Sequence, residues 1–255
     1  MAGTLIIGGT AAYHLSPGEQ VTVLSEEMVH TPFGEAGPVL RFRVGKEECA
    51  LLSRHGGRGR LGVTPPFVNY RANVWVAREL GMKRIISWNS AGSLVRSLPP
   101  GSIAGVADLI DWTRQRPTTF GPVLGAEERR RRRDAGPLFD PVLRQGLVAA
   151  ARRTGRHVAP AAVYAATEGA RLETRAEISL LAAAGAELVG MTLSPEVFLA
   201  RELGLAYASL CWVSNYATGV PFDGPEVRLF GPEAGQLLFG IILDFLREEA
   251  AGRGA

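Results

Sequence analysis

From its first residues to its last, the chain alternates short apolar runs with segments of helical spacing. That alternation is its strongest constraint on fold. Residues 4–7 read as a buried strand running into Gly8-Gly9-Thr10. Residues 39–44 read as a half-exposed strand, with 49–53 as its buried partner across a turn at Gly45-Lys46. Residues 69–80 place Ala72, Trp75, Val76 and Leu80 at helical spacing, and Gly81 supplies a stop. Further strands are expected at 84–87, 103–110, 162–166, 187–191 and 205–213. Further helices are expected from Asp140-Pro141 to Arg153, over 174–184, from Ser194-Pro195 to Leu203, and over 232–249. Residues 121–136 read as a surface loop. The order predicts an α/β protein in which residues 1–255 form a single domain, a central mixed β-sheet flanked by helices.

Composition narrows the function classes. A hydrophobic share of 46% and a charged share of 21% support a real core and exclude disorder for most of the chain. Only Cys49 and Cys211 are present, so a disulfide framework is excluded and a reducing compartment fits. Leu5-Ile6-Ile7 is too short for a secretory core. The most apolar stretch, 237–246, is broken by Gly240 and Asp244 and falls short of the ~20 residues that span a bilayer. The expectation is a cytoplasmic protein with no membrane partner. Net charge is +3, and much of the excess sits in Arg129 to Arg133. No aromatic residue interleaves that run. A solvated, mobile loop is therefore expected rather than a nucleic-acid face.

Ligands of open α/β sheets bind beyond the carboxyl ends of the strands. The residues there are Gly8-Gly9-Thr10, Arg54-His55-Gly56, Asn89-Ser90-Ala91-Gly92, Glu168-Gly169, Met191-Thr192 and Ser214-Asn215. Hydroxyls, exposed backbone N–H groups and an arginine in phase with successive strand ends suit a tetrahedral oxyanion such as phosphate. No His, Cys or carboxylate pair has metal-ligand spacing. No G-x-G-x-x-G or Walker lysine is present.

The motif order resembles the purine nucleoside phosphorylase and methylthioadenosine phosphorylase family, in its homotrimeric branch. The matching stretches are IIGGT, HTPFG, LLSRHG, VNYRANVWV, NSAGSL, EGARLETRAEI, VGMTLSPEVFLARELGLAYASL and VSNYA. They cover most of the chain in one order, and only as a set are they specific. The resemblance implies attack of inorganic phosphate, as co-substrate and without a cofactor or metal, at C1′ of a purine nucleoside. It implies Thr10, Arg54, His55, Ser90 and Thr192 as phosphate-binding residues, and Met191 and Tyr70 at the ribose. It implies Glu173 and Asn215 at the purine. With His55, those two are the candidate catalytic residues. In the family, Glu and Asn mark 6-oxopurine enzymes, whereas 6-aminopurine enzymes carry Ser and Asp with a second Asp two positions on. Here that position is Ala217. A carboxylate accepts the N1–H of a 6-oxopurine, and an amide donates to O6 or accepts from N7–H.

At the 5′ end of the sugar, ordinary ribonucleoside phosphorylases place a His after the Asn. No His follows Asn215 here, and Val227, Leu229 and Phe230 are expected as an apolar wall suited to a 5′-methylthio group. EGARLETRAEI resembles the corresponding stretch of methylthioinosine phosphorylases, with Ala170 in place of proline. The expected substrates are therefore inosine, guanosine or 5′-methylthioinosine. An adenine-directed methylthioadenosine phosphorylase and a non-catalytic nucleoside-binding relative are the alternatives. The chain departs from the family in three places: a longer segment at 57–67, the arginine-rich 121–136, and Trp88 in place of a small residue. Near Arg132 the second departure falls in register with a segment that, in relatives, reaches a neighbouring subunit's 5′ site. An arginine there is a minor case for an anionic 5′ substituent.

Overall fold

The computed structural model describes residues 3–9, 12, 15, 17, 21–56, 62–134, 136–223, 229 and 231–252. Thr10, Val227 and Phe230, and the side chain of Arg132, lie outside the described residues.

Among the described residues, nine strands form one mixed sheet in the order β2-β3-β4-β1-β5-β8-β7-β6-β9. They are β1 (Thr4–Gly8), β2 (Thr22–Thr31), β3 (Gly34–Val44), β4 (Glu47–Ser53), β5 (Arg84–Ser93), β6 (Ile103–Asp111), β7 (Val158–Ala166), β8 (Leu188–Gly190) and β9 (Ala206–Tyr216). β5 also pairs along its length with β9, so β5, β8, β7, β6 and β9 close into a ring, and β1 to β4 extend from it. Among the described residues, six α-helices cover it: α1 (Tyr70–Glu79), α2 (Ala126–Arg130), α3 (Pro141–Arg152), α4 (Arg175–Ala183), α5 (Leu193–Glu202) and α6 (Pro232–Gly252). None of the described helices is long and apolar enough to cross a membrane.

Alternation in β1 shows how the layers arise. Leu5 and Ile7 point into the core shared with α1 and α5, whereas Ile6 points into the core shared with α3 and α6. All three are fully buried, as a strand covered on both faces requires. The helix starts follow their capping residues. Asn69 Oδ1 accepts from the Ala72 N–H at 3.1 Å, and Asp140 Oδ1 accepts from Val142 and Leu143, both at 2.9 Å. Asn69 Nδ2 also donates to the Phe33 carbonyl at 2.7 Å. This ties α1 to the β2–β3 hairpin, where Phe33, Trp75 and Phe120 pack with ring centroids 5.0 to 5.4 Å apart.

The structure departs from the sequence pattern in three places. The first is β2, which has no counterpart in the apolar pattern. It is a largely exposed edge strand and is specified by pairing with β3 rather than by burial. The second concerns residues 121–136, which do not form a free loop. Arg129 and Arg130 close α2, and Arg131–Arg133 form a 3-10 turn. Arg201 of α5 donates to the carbonyls of Asp134 (2.7 Å) and Gly136 (2.8 Å), and Glu128 pairs with Arg78 of α1. Like charges are tolerated because the segment is tied to two helices at both ends. The third concerns residues 89–92, which extend β5 beyond the strand expected at 84–87.

β5 also creates the opening for a ligand. Residues 84–87 pair with β1, but only Gly92 and Ser93 pair with β8. Between them, Trp88 to Ala91 have a ladder partner only on the β9 side. The sheet parts there, and the freed backbone borders a cleft.

Candidate active site

That cleft has a volume of about 1270 Å³ and is lined by Gly9, Arg54, His55, Ser90, Glu173, Met191, Thr192 and Asn215, among others. Seven of the nine residues singled out from the sequence are therefore together. Thr10 lies outside the described residues, and Tyr70 sits behind the wall.

Arg54 follows β4, and its backbone N–H donates to the Gly8 carbonyl at 2.9 Å. Its guanidinium is fully buried and faces Glu196 of α5, also fully buried, in a two-pronged pair with Nη2 to Oε2 at 3.0 Å. Nη1 donates to the Trp88 carbonyl at 3.2 Å. Of five N–H groups, two remain without a partner among the described residues, and Arg54 borders the cleft. Burial works against the charge, but Glu196 overcomes it and drives the Arg54 pKa upward. Gly9 lets the strand end approach. A Cβ there would lie 2.5 Å from the Trp88 carbonyl oxygen and 2.9 Å from Arg54 Nη1.

A buried chain of hydroxyls and amides links the two sides of this anion pocket. Tyr207 Oη donates to Glu196 Oε2 at 2.8 Å and lies 2.8 Å from Ser87 Oγ, which donates to Ser209 Oγ at 2.9 Å. Asn89 Nδ2 donates to Ser209 Oγ at 2.8 Å, and Thr192 Oγ1 donates to Asn89 Oδ1 at 2.5 Å. Thr192 and Arg54 thus stand at opposite ends of one network. Burial and the Arg54 charge lower the His55 pKa. Its Nδ1 lies 2.7 Å from the Val63 carbonyl, which only accepts, so Nδ1 carries the proton and Nε2 is an acceptor with no partner among the described residues.

At the other end, Glu173 is 7% exposed. Thr167 Oγ1 donates to its Oε1 at 2.5 Å, and Oε2 has no partner among the described residues. Asn215, in β9, accepts from Ser214 Oγ at 2.8 Å and donates to the Tyr216 carbonyl at 2.7 Å. One N–H and one lone pair stay available. Ala217 lies beside it in the lining. This end therefore offers a carboxylate acceptor and a two-way amide, the complement of a heteroaromatic lactam.

Met191 forms the wall between the ends. Tyr70 stands behind it, donating to the Pro65 carbonyl at 3.0 Å and lying 3.4 Å from the Met191 carbonyl. The apolar mouth differs from expectation. Leu229 does not line the cleft; its carbonyl accepts from Trp212 Nε1 at 2.9 Å. Val63, Pro65, Pro99, Pro100, Val220, Pro221 and Phe222 line it instead. No described residue of 121–136 does so. Trp88, the departure on β5, fills the space between Gly8 and Phe239. Sequence reasoning missed Glu196, Tyr207 and Arg116. Each is polar and buried, and its partners are distant in sequence, so no local spacing marks it.

Residues 5–247 match the model of the phosphorylase superfamily. The chain is 40% identical over 220 residues to the 6-oxopurine nucleoside phosphorylase of Pyrococcus furiosus, covering 84% of this chain and 80% of that protein. It is 41% identical over 216 residues to a probable S-methyl-5′-thioinosine phosphorylase of Methanopyrus kandleri, covering 84% and 79%. Among solved structures, an apo double mutant of adenosine/methylthioadenosine phosphorylase from Schistosoma mansoni superposes with a TM-score of 0.82 at 29% identity, covering 98% of this chain and 93% of that one.

Proposed function

We propose that this chain, which belongs to the phosphorylase superfamily, is a purine nucleoside phosphorylase acting on 6-oxopurine nucleosides. The whole chain is read as one nucleoside phosphorylase domain. The observation that carries the reading is a single cleft with a buried arginine at one end and a buried glutamate at the other. Arg54 keeps two donors for an oxyanion, and Glu173 keeps an oxygen for a ring N–H. The relatives named as 6-oxopurine and methylthioinosine phosphorylases support it.

The chemistry follows from those groups. Inorganic phosphate, held by Arg54 and Ser90 beside Thr192, whose hydroxyl hydrogen is spent on Asn89, attacks C1′ of the nucleoside with one of its own oxygens. The C1′–N9 bond breaks through an oxocarbenium-like transition state, and its electron pair leaves on the purine. Glu173 accepts from N1–H, and Asn215 accepts from N7–H as the departing base takes up a proton. The products are a free purine and a ribose 1-phosphate. The nucleophile is already an anion, so catalysis is positioning plus fixed electrostatics and needs neither a strong base nor a cofactor.

The proline- and phenylalanine-bearing mouth supports a 5′-methylthio group at the sugar. A homotrimer is the assembly that the family resemblance carries to this chain. Light scattering tests that assembly, and a clean monomer would contradict it. Two free, buried cysteines support a cytoplasmic setting. Purine salvage is the role that fits.

Phosphate-dependent release of free base tests the function. The panel is inosine, guanosine, adenosine, 5′-methylthioinosine and 5′-methylthioadenosine. Turnover confined to the 6-oxo substrates is expected, and the methylthio-to-hydroxyl ratio reads the mouth. Preferred adenine release would overturn the base assignment, and no release at all would leave a binding protein.

A further inference from the structure

Arg116 is 8% exposed and stands outside the cleft lining, yet its guanidinium bonds Met191 of the lining and the segments packed behind it. Nε donates to Glu168 Oε1 at 3.1 Å. Nη1 donates to Tyr70 Oη at 3.1 Å, to the Ser194 carbonyl at 2.9 Å and to the Met191 carbonyl. Nη2 donates to the carbonyl of Glu168 and reaches that of Thr167 at 3.4 Å. All five N–H groups are thus engaged inside the protein, so none is left to bind a ligand. Glu168 in turn accepts from the backbone N–H of Arg114 at 2.8 Å and of Gln115 at 3.3 Å, which locks the loop that carries Arg116.

The connections point to one half of the site. Met191 is the wall facing the ribose. Thr167, whose carbonyl Arg116 reaches, is the residue whose hydroxyl holds Glu173 Oε1. The anion end is held by a different buried pair, Arg54 with Glu196. Resting on the function proposed above, we propose that Arg116 is a positioning residue for the nucleoside half of the cleft. It fixes the Met191 backbone against that of Thr167 and Glu168, and so sets the ribose wall and the Glu173 arm in register without touching substrate. The role needs a planar fork that bonds in several directions at once. A lysine ammonium, with three clustered donors, cannot span those acceptors.

The test compares R116K, R116A and E168Q with the parent protein. Readouts are hypoxanthine and inorganic phosphate titrated separately by calorimetry, kcat and KM for each nucleoside, and thermal melting. Loss of one hydrogen bond made by a charged group weakens an interaction by roughly 10- to 100-fold. R116K is expected to weaken hypoxanthine binding and lower kcat/KM for nucleoside by that range, while phosphate affinity stays within about twofold of the parent. E168Q is expected to move the same readouts less. In R116A, millimolar guanidinium restores nucleoside turnover and ammonium does not. Equal loss of phosphate and purine affinity would reduce Arg116 to general scaffolding and overturn the proposal. So would an R116K protein indistinguishable from the parent. If R116A does not fold, R116K and E168Q still decide. If the parent protein binds purine but does not cleave nucleosides, the proposed function fails while the positioning role is still read from the two titrations.

Discussion

Arg54 and Glu196, 142 residues apart in sequence, form a two-pronged ion pair in which neither side chain is exposed to solvent. The pair places a positive charge at the cleft without a surrounding shell of water. Glu196 neutralises that charge only in part of its fork, and the remaining donors are free for an anion. Removing one member of such a pair leaves an uncompensated buried charge and costs about 3–5 kcal/mol. Glu196→Ala is therefore expected to lower the melting temperature sharply. Glu196→Gln, which keeps the shape, is expected to retain the fold and raise KM for phosphate more than KM for nucleoside.

The purine end gives a second prediction. A hydrogen bond to a charged group is worth about 1.5–3 kcal/mol. Glu173→Gln replaces an acceptor-only carboxylate with an amide, and kcat/KM for inosine is expected to fall roughly 10- to 100-fold. Asn215→Asp is expected to narrow the ratio of inosine to adenosine turnover, because a carboxylate there accepts from a 6-amino group and repels O6. A panel in which Asn215→Asp leaves that ratio unchanged would remove Asn215 from base selection.

Gly9 tests how closely the strand end must approach. The Cβ of Gly9→Ala would meet the Trp88 carbonyl at 2.5 Å and Arg54 Nη1 at 2.9 Å. The carbonyl belongs to β5 and cannot yield, so the arginine or the strand end must shift. Overpacking of this kind costs about 1–3 kcal/mol. Reduced stability is expected together with a raised KM for phosphate, measured by melting and by initial rates at varied phosphate.

His55 supplies a pH dependence. Its folded pKa lies below the ordinary value of 6.5, because burial and the Arg54 charge both disfavour the imidazolium. The unfolded chain therefore binds the proton more readily. Stability that is complete above about pH 6.5 falls as pH drops through that value toward the folded pKa. His55→Gln removes this contribution. The melting-temperature difference between the parent protein and His55→Gln is expected to be constant above pH 7 and to move in favour of the variant below pH 6. A difference that does not vary with pH would refute the assignment.

The elements most legible in sequence are those whose signal is local. Asn69 and Asp140 cap their helices as their positions imply, and residues 4–7 form the buried strand their apolar run predicts. Arg54 and Thr192 lie just past the ends of β4 and β8, where their positions in the pattern place them, whereas Ser90 inside β5 and Glu173 in the connection after β7 join them only through the fold. β2 was illegible because an exposed edge strand carries no burial period, and only the β3 ladder defines it. The arginine run is illegible in the same way, because a block of like charge carries no sign of what ties it down. Here the anchors are Arg201 on α5 and the Glu128–Arg78 pair.

The sequence by itself determined the class of fold, the order of its elements and the chemical inventory at the strand ends. Those follow from periodicity, caps and residue type, which act over a few positions. Only the tertiary structure decided which polar groups remain free to act. Arg54 and Arg116 are both buried arginines following strands. One keeps two donors for an anion, whereas the other spends all five holding the wall together. That difference is made by partners up to 142 residues away. It arises from which distant segments the fold brings beside each guanidinium, and no local pattern encodes it.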